Sequence, residues 1–142
     1  MSDWVQNIIR IRNELHQIAE LSGKEKKTAN LLQSFIKKCN PDALEKDLGG
    51  SNSFYAVFES SHKGSTIVIR GDMDAIAEDK KAAHRCGHDG HSAILCGLAF
   101  KLSVSRPKSG RVVLLFQAEE ETGMGAKKVL NDSRFTDLNP DW

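Results

Sequence analysis

The side chains of this chain that are best suited to chemistry are concentrated in three short segments. These segments are residues 71–74, 84–91 and 119–121, and they read GDMD, HRCGHDGH and EEE. Thiolates and imidazoles are ligands for zinc and similar ions, while carboxylates can bind an ion or take a proton from water. The residue types therefore favour a metal centre that activates water.

Two close pairs of residues supply the strongest candidates. Cys86 and His88 place a thiolate and an imidazole one residue apart, which suits metal ligation. In the adjacent pair Glu120 and Glu121, one carboxylate can bind the ion while its neighbour accepts a proton from water. Each pair alone is a weak signal, because acidic residues are also favourable near a helix N-terminus. Their presence together favours the functional interpretation.

Two aspartates could support these ligands from behind. Asp74 and Asp89 could each accept a hydrogen bond from the imidazole of a ligating histidine and thereby fix its tautomer. Aspartates in such places are also common turn formers. We predict that both support the metal ligands.

The predicted strands explain how the three segments could meet. Apolar, β-branched runs at 65–71 and 111–117 are typical of buried strands, and each ends directly before one of the acidic segments. A helix predicted over 90–103 starts within the histidine-rich segment. Ligands of open α/β sheets bind beyond the carboxyl ends of the strands. We therefore expect the segments to converge on one crevice.

The remaining pattern predicts a layered α/β domain. Residues 75–85 and 137–142 are predicted as loops, and an S-x-x-E capping box at Ser22 and Glu25 is predicted to start the second helix. The element order α-α-β-β-α-β-α favours a mixed, partly parallel sheet flanked by helices. The other predicted elements are helices over 3–20, 24–38 and 123–131 and a strand over 53–59.

Composition narrows the class of protein. The 142 residues suffice for one domain, with 39% hydrophobic residues and a net charge of +1. This balance gives no reason to expect a nucleic-acid or membrane partner, and the N-terminus lacks the apolar core of a signal peptide. Three cysteines, an odd number, favour free thiols in a reducing compartment. We therefore expect a cytoplasmic protein.

The chain resembles a known family in the segments that carry the reactive residues. Residues 12–25, 67–76, 84–99 and 112–130 are similar to the amidohydrolase branch of the aminoacylase and carboxypeptidase metallohydrolases. That branch includes hippurate hydrolases and hydrolases of auxin–amino acid conjugates. The resemblance implies a zinc-peptidase-like fold and hydrolysis of the amide bond of N-acyl amino acids or small peptides.

The resemblance also implies roles for single residues. Cys86, His88 and Glu121 correspond to metal ligands, and Glu120 corresponds to the general base. Asp72 occupies a place where sister branches have a ligand histidine, so we do not count it as a ligand. The complete family centre holds two divalent ions, Zn, Mn or Co, and its base deprotonates the attacking water.

The length of the family members bears on what these residues can do alone. Members are far longer, and this sequence has no histidine after Glu121. We expect residues 1–142 to be the N-terminal portion of an incomplete catalytic domain, without the lid or dimerisation domain and the C-terminal catalytic portion. Such a piece should hold at most one ion, lack activity alone and tend to form homo-oligomers through an uncovered sheet edge.

Two alternatives come from other functional classes. Cys86 could be the nucleophile of a cysteine amidase, with His84, His88 or His91 as its base. The chain could also be a truncated module that binds without catalysis. The glutamate pair, which has no evident role in a cysteine amidase, favours the metal centre.

Overall fold

The sheet at the centre of the molecule is mixed, as predicted. The computed structural model describes residues 3–142, without the side chain of Asp3. Four strands form a sheet in the order β1-β2-β6-β3, and β4 and β5 form a separate hairpin. The strands are β1 (Ala43–Glu45), β2 (Phe54–Glu59), β3 (Thr66–Asp72), β4 (Ile76–Glu78), β5 (Lys81–Ala83) and β6 (Arg111–Gln117). The helices are α1 (Asp3–Gln17), α2 (Lys26–Lys38), α3 (His88–Val104), α4 (Gly125–Leu130) and α5 (Ser133–Thr136), with a 3-10 turn at Leu48–Gly50.

Strands β3 and β6 are parallel neighbours, and this pairing brings two of the reactive segments together. Their register pairs Asp72 with Gln117, so both strands end at the same edge of the sheet. Strand β2 pairs with β6 in the antiparallel sense. The segments that follow these two strands therefore meet at one edge of the sheet, as expected.

Alternating side chains on the strands cover both faces of the sheet. On one face Phe54, Phe116 and Leu114 pack with the apolar sides of α1, α2 and α3. The rings of Phe54 and Phe116 stack with centroids 4.5 Å apart. On the other face Tyr55 and Leu115 pack beneath α4 and α5. Because alternate residues of a strand point to opposite faces, continuous apolar runs become strands buried on both sides.

Three short elements differ from the prediction. The segment 75–85, expected to be a loop, forms the β4–β5 hairpin, and Arg85 donates two hydrogen bonds to the Glu78 carboxylate, of 2.6 and 2.7 Å. Strand β1 and helix α5 were not predicted. Elements of three or four residues are too short to show a recognisable hydrophobic pattern. Tertiary contacts therefore determine whether they form.

The predicted capping box at Ser22 and Glu25 is wrong. Helix α2 begins at Lys26, so Glu25 directly precedes it and makes no side-chain capping bond. The Glu20 carboxylate instead accepts hydrogen bonds from the Thr28 amide (2.8 Å) and hydroxyl (3.0 Å). Ser22 lies too far from the first turn to cap it, and both residues of the predicted box are free to bond elsewhere.

Strand β3 forms one edge of the sheet. Ile67 and Ile69 on this strand are 40% and 37% exposed. The terminal residues lie along the same edge, where the Val68 amide donates to the Trp142 carbonyl over 2.8 Å. In the described part of the chain, no helix has both the length and the apolar character needed to cross a membrane.

Candidate metal centre

His88, the first residue of α3, presents a fixed imidazole at the carboxyl edge of the sheet. Its side chain is buried, and Nδ1 lies 2.9 Å from the Asp74 carbonyl oxygen. The Asp74 carboxylate is also near, with Oδ1 3.2 Å from Nδ1. The carbonyl acceptor favours a proton on Nδ1, which leaves Nε2 with a free lone pair, as in many histidine ligands of metals.

Glu120 and Glu121 face that free nitrogen. The His88 Nε2 atom lies 3.8 Å from Glu120 Oε2 and 3.9 Å from Glu121 Oε1. The three ligand atoms all lie within 4.8 Å of one another. These spacings exceed a hydrogen bond and are near those of ligands that share one ion, whose bonds measure about 2.0–2.2 Å. An imidazole and two carboxylates also suit zinc or manganese chemically.

Cys86 lies beside the same carboxylates. The neighbouring Glu121 carboxylate, as a hydrogen-bond acceptor and a negative charge, raises the pKa of the exposed Cys86 thiol, although the sulfur is not among the ligand atoms grouped within 4.8 Å around His88. The segments that carry Cys86 and Glu121 therefore converge, as expected, while the role of Cys86 as a ligand stays a prediction. A thiol nucleophile needs a lowered pKa, so these surroundings argue against the cysteine amidase. A cation between the two groups would replace the shared proton.

Asp74 connects the first and third segments. Its carboxylate is fully buried, and Oδ2 accepts hydrogen bonds from the Ser22 hydroxyl (2.6 Å) and the Glu121 amide (2.9 Å). Oδ1 has no hydrogen-bond partner among the described residues. An ionised carboxylate is costly to bury without a nearby cation, and a metal ion bound by His88 would supply positive charge here.

Asp89 has a different set of partners from those predicted. It is buried at the start of α3, where its carboxylate contacts His16 Nδ1 at 2.7 Å and Arg12 Nε at 3.2 Å. It also accepts a hydrogen bond from the Gly90 amide. These contacts join the first turn of α3 to α1. Asp89 therefore positions the helix that carries His88, but it does not contact the His88 imidazole in the described contacts.

A second group of candidate ligands shares His88. Asp72, His88 and His91 also have ligand atoms within 4.8 Å of one another. The Arg70 guanidinium already donates to Asp72 over 2.8 Å, and His88 has one free nitrogen to offer. The two groups therefore compete for a single lone pair, and the group with Glu120 and Glu121 has no competing cation among the described ion pairs.

The tight turn after β6 directs the side chains of Glu120 and Glu121 toward His88. Glu119 has a positive φ of 57°, which takes the chain out of the strand. Helix α4 then starts at Gly125, where a Cβ atom would lie 1.7 Å from the Ala118 carbonyl oxygen. Only glycine allows this close approach, so packing requires a glycine at position 125.

Sequence reasoning missed three residues that contact this centre. Ser22, Glu25 and Arg70 were not proposed for the site, although Ser22 and Glu25 were noted as a capping pair. Ser22 and Glu25 bind Asp74 and Glu119, which lie 52 and 94 residues further along the chain. Arg70 binds Asp72, two residues further along the same strand. The only indication in the sequence was a polar turn with several hydrogen-bond acceptors directly before α2. A helix cap explained that turn equally well.

A family model and curated relatives that match this chain both indicate a family of peptidases and deacetylases by their names. The model of peptidase family M20/M25/M40 matches residues 68–142. N-acetyl-L-cysteine deacetylase of Bacillus subtilis strain 168 is 33% identical and aligns with 98% of this chain and 36% of its own length. Thermostable carboxypeptidase 1 of Saccharolobus solfataricus is 34% identical over 90% of this chain and 35% of its own length. The chain thus spans about a third of the curated relatives it matches.

A solved structure from the M20 family has the same fold as this chain. A Bacillus subtilis protein described as a dinuclear metal binding peptidase from the M20 family superposes with a TM-score of 0.85 at 28% identity. The match covers 98% of this chain and 42% of that protein. The whole described domain, including the three reactive segments, therefore has a counterpart in that structure.

Proposed function

This chain belongs to peptidase family M20/M25/M40, and from that premise we propose that it carries part of a metal centre that hydrolyses amide bonds. The single observation that supports this most is the convergence of the His88 Nε2 atom with the carboxylates of Glu120 and Glu121. We assign Cys86, His88 and Glu121 as ligands of a divalent ion and Glu120 as the general base.

The supporting residues have separate tasks in this proposal. Asp74 fixes the His88 tautomer through its backbone carbonyl, and its carboxylate holds the Glu121 amide and places a negative charge 3.2 Å from His88 Nδ1. Asp89 fixes the start of α3 by its contacts with His16 and Arg12. Groups of this kind, behind the ligands, typically change metal affinity about 10–100-fold when they are removed.

Glu120 has the position that a proton carrier requires. Its side chain is about 38% exposed, more than that of Glu121, so it can reach a water molecule or a substrate in the crevice. When bound, a divalent ion polarises the amide carbonyl and lowers the pKa of water. Glu120 then takes the proton from the attacking water and delivers it to the nitrogen that leaves.

We propose N-acyl amino acids or small peptides as the substrate class, in the whole protein that carries these residues. The names of the relatives support this class, because one acts on an N-acetyl amino acid and another is a carboxypeptidase. A complete centre with two ions needs ligands beyond those gathered here. We therefore expect residues 1–142 alone to bind about one ion and to hydrolyse N-acetyl amino acids at no measurable rate. We also propose a reducing, cytoplasmic location, supported by free Cys39, Cys86 and Cys96.

The first test is a Zn²⁺ titration of the purified 142-residue chain. We expect about one tightly bound ion, and loss of that binding in His88→Ala. His62 is a matched control, because it is exposed in the turn before β3, where it contacts Ser61. His62→Ala should bind Zn²⁺ like the parent chain. Equal losses in both variants, or no stoichiometric binding in the parent, would show that the centre is not built as proposed.

Alkylation of the thiols gives an independent test of Cys86 as a ligand. Cys39 and Cys96 are buried, so the exposed Cys86 should account for nearly all fast labelling of the folded chain. Stoichiometric Zn²⁺ should slow that labelling strongly, and a chelator should restore it. Labelling that ignores the ion would remove Cys86 from the ligand set.

A further inference from the structure

Glu25 is a buried carboxylate that forms no ion pair among the described residues. Its side chain is fully buried, and its charge is met by hydrogen-bond donors alone. Oε1 accepts hydrogen bonds from the amides of Gly23 (2.7 Å) and Glu119 (3.0 Å), and Oε2 accepts one from Asn52 Nδ2 (3.0 Å). A buried charge is tolerated when several donors meet it, so the environment is built around this carboxylate.

One of those donors belongs to the turn that presents the glutamate pair. Glu119 directly precedes Glu120 and has a left-handed backbone conformation, with φ of 57°. Non-glycine residues in such a conformation cost roughly 1–3 kcal/mol and persist only where their surroundings hold them. The amide of Glu119 is held by Glu25, and its carbonyl accepts hydrogen bonds from the Gly125 amide (3.1 Å) and the Thr122 hydroxyl (3.2 Å).

The same short segment also reaches the other side of the centre. Ser22, three residues before Glu25, donates to Asp74, and the Ala75 amide donates to the Glu20 carbonyl over 2.9 Å. Residues 20–25, which we call the brace, thus contact both the segment that fixes the His88 imidazole and the turn that presents Glu120 and Glu121. The brace therefore adds a second connection between these two segments, beside the direct hydrogen bond from the Glu121 amide to Asp74.

We propose that Glu25 is a positioning residue whose buried carboxylate, by binding the Glu119 amide, sets the distance between the glutamate pair and His88 and hence the metal affinity. This inference rests on the proposed metal centre. It assigns to the brace a role in the site beyond that of a linker between α1 and α2. Glu25 itself contacts neither the ion nor the substrate.

The test compares substitutions at two carboxylates of the brace. Glu25→Ala removes the acceptor of three partly buried donors and should weaken Zn²⁺ binding by the chain about 10–100-fold. Glu25→Gln keeps one acceptor oxygen for the Glu119 amide but loses the charge that strengthens the bond. We expect it to weaken Zn²⁺ binding by a smaller factor, on the order of threefold to tenfold.

Glu20 provides the matched control in the same six-residue segment. Its carboxylate binds only Thr28 of α2 in the described contacts. Glu20→Ala and Glu20→Gln should therefore lower the midpoint of thermal unfolding while the Kd for Zn²⁺ stays within about twofold of the parent value. The Kd for Zn²⁺ therefore distinguishes Glu25 from Glu20, whereas the midpoint of thermal unfolding would not.

The outcomes distinguish this inference from the function on which it depends. If the parent chain and His62→Ala bind Zn²⁺ but the Glu25 and Glu20 variants change Kd alike, Glu25 is merely structural and the inference fails alone. If the parent chain binds no Zn²⁺, the metal centre fails and the inference fails with it. Should Glu25→Ala not fold, the comparison of Glu25→Gln with Glu20→Gln decides, and equal Kd values overturn the inference.

Discussion

Asp74 and Asp132 each connect loops that lie far apart in the sequence, but their surroundings differ. Asp132 caps α5 and accepts hydrogen bonds from the amides of Gly49 (2.7 Å) and Arg134 (3.0 Å) and from the Arg134 guanidinium (2.6 and 3.0 Å). Asp74 accepts from a hydroxyl and one amide, and one of its oxygens has no hydrogen-bond partner in the described structure.

The difference separates a carboxylate that stabilises the fold from one that serves a site. At Asp132 the guanidinium and the amides lower the pKa of the carboxyl, so the charge is favourable in the folded chain. At Asp74 the only described ion-pair partner is His88, itself a proposed metal ligand. In the proposed metal centre a bound ion would balance the charge of Asp74, so substitutions at the two positions should affect different properties.

The largest effect is expected at the glutamate pair, in the whole protein that carries these residues. Glu120→Gln should lower kcat by about 10²–10⁴-fold with normal metal content, because it removes a base. Glu121→Gln should lose metal as well as turnover, because it removes a ligand. The measurements are metal content per chain and hydrolysis of an N-acetyl amino acid. The reverse pattern would mean that the two roles are exchanged.

The second prediction concerns Asp74 in the 142-residue chain. Asp74→Asn keeps the size of the side chain but removes the charge that supports His88, and it should weaken Zn²⁺ binding about 10–100-fold. Because the parent carboxylate is buried without a cation, the metal-free chain should unfold at a similar urea concentration or a higher one. A chain that loses stability while retaining full Zn²⁺ affinity would place Asp74 with the structural carboxylates.

The sequence predicted the strands that position this centre better than it predicted the contacts behind the proposed ligands. The apolar run 111–117 is long and buried on both faces, so its pattern alone located β6. The bonds of Ser22 and Glu25 depend instead on where α1 and α2 pack. A serine and a glutamate three residues apart fit a helix cap equally well, and only the tertiary structure distinguishes the two uses.

The third prediction reverses the expectation for Asp74. Asp132→Ala removes the cap of α5 and the acceptor of the Gly49 amide, and it should lower the free energy of unfolding by about 1–2 kcal/mol. Zn²⁺ affinity should not change. Urea unfolding and Zn²⁺ titration of the same preparation measure both quantities, and a large change in Kd would contradict the separation of the two regions.

The pH dependence of the unfolding free energy tests whether the negative charge of Asp132 stabilises the folded chain. The folded pKa of Asp132 is lowered, so its contribution is fully present above the unfolded pKa of about 3.9 and is lost as pH falls below that value. The difference in unfolding free energy between the parent chain and Asp132→Ala should therefore shrink progressively as pH falls from about 4 toward the lower folded pKa. A difference that stays constant would show that the charge is not the source of the stability.

The smallest effect is expected at Glu119, where side chain and backbone can be separated. The Glu119 carboxylate binds Lys128 Nζ at 2.6 and 2.8 Å, but the lysine is 35% exposed and can be hydrated without this partner. Glu119→Ala should lower the unfolding free energy by about 0.2–1 kcal/mol. It keeps the amide that binds Glu25 and the same restriction on φ, so Zn²⁺ affinity should change less than about threefold. If instead Glu119→Ala weakens Zn²⁺ as strongly as Glu25→Ala, the ion pair with Lys128, and not the amide, holds the turn in place.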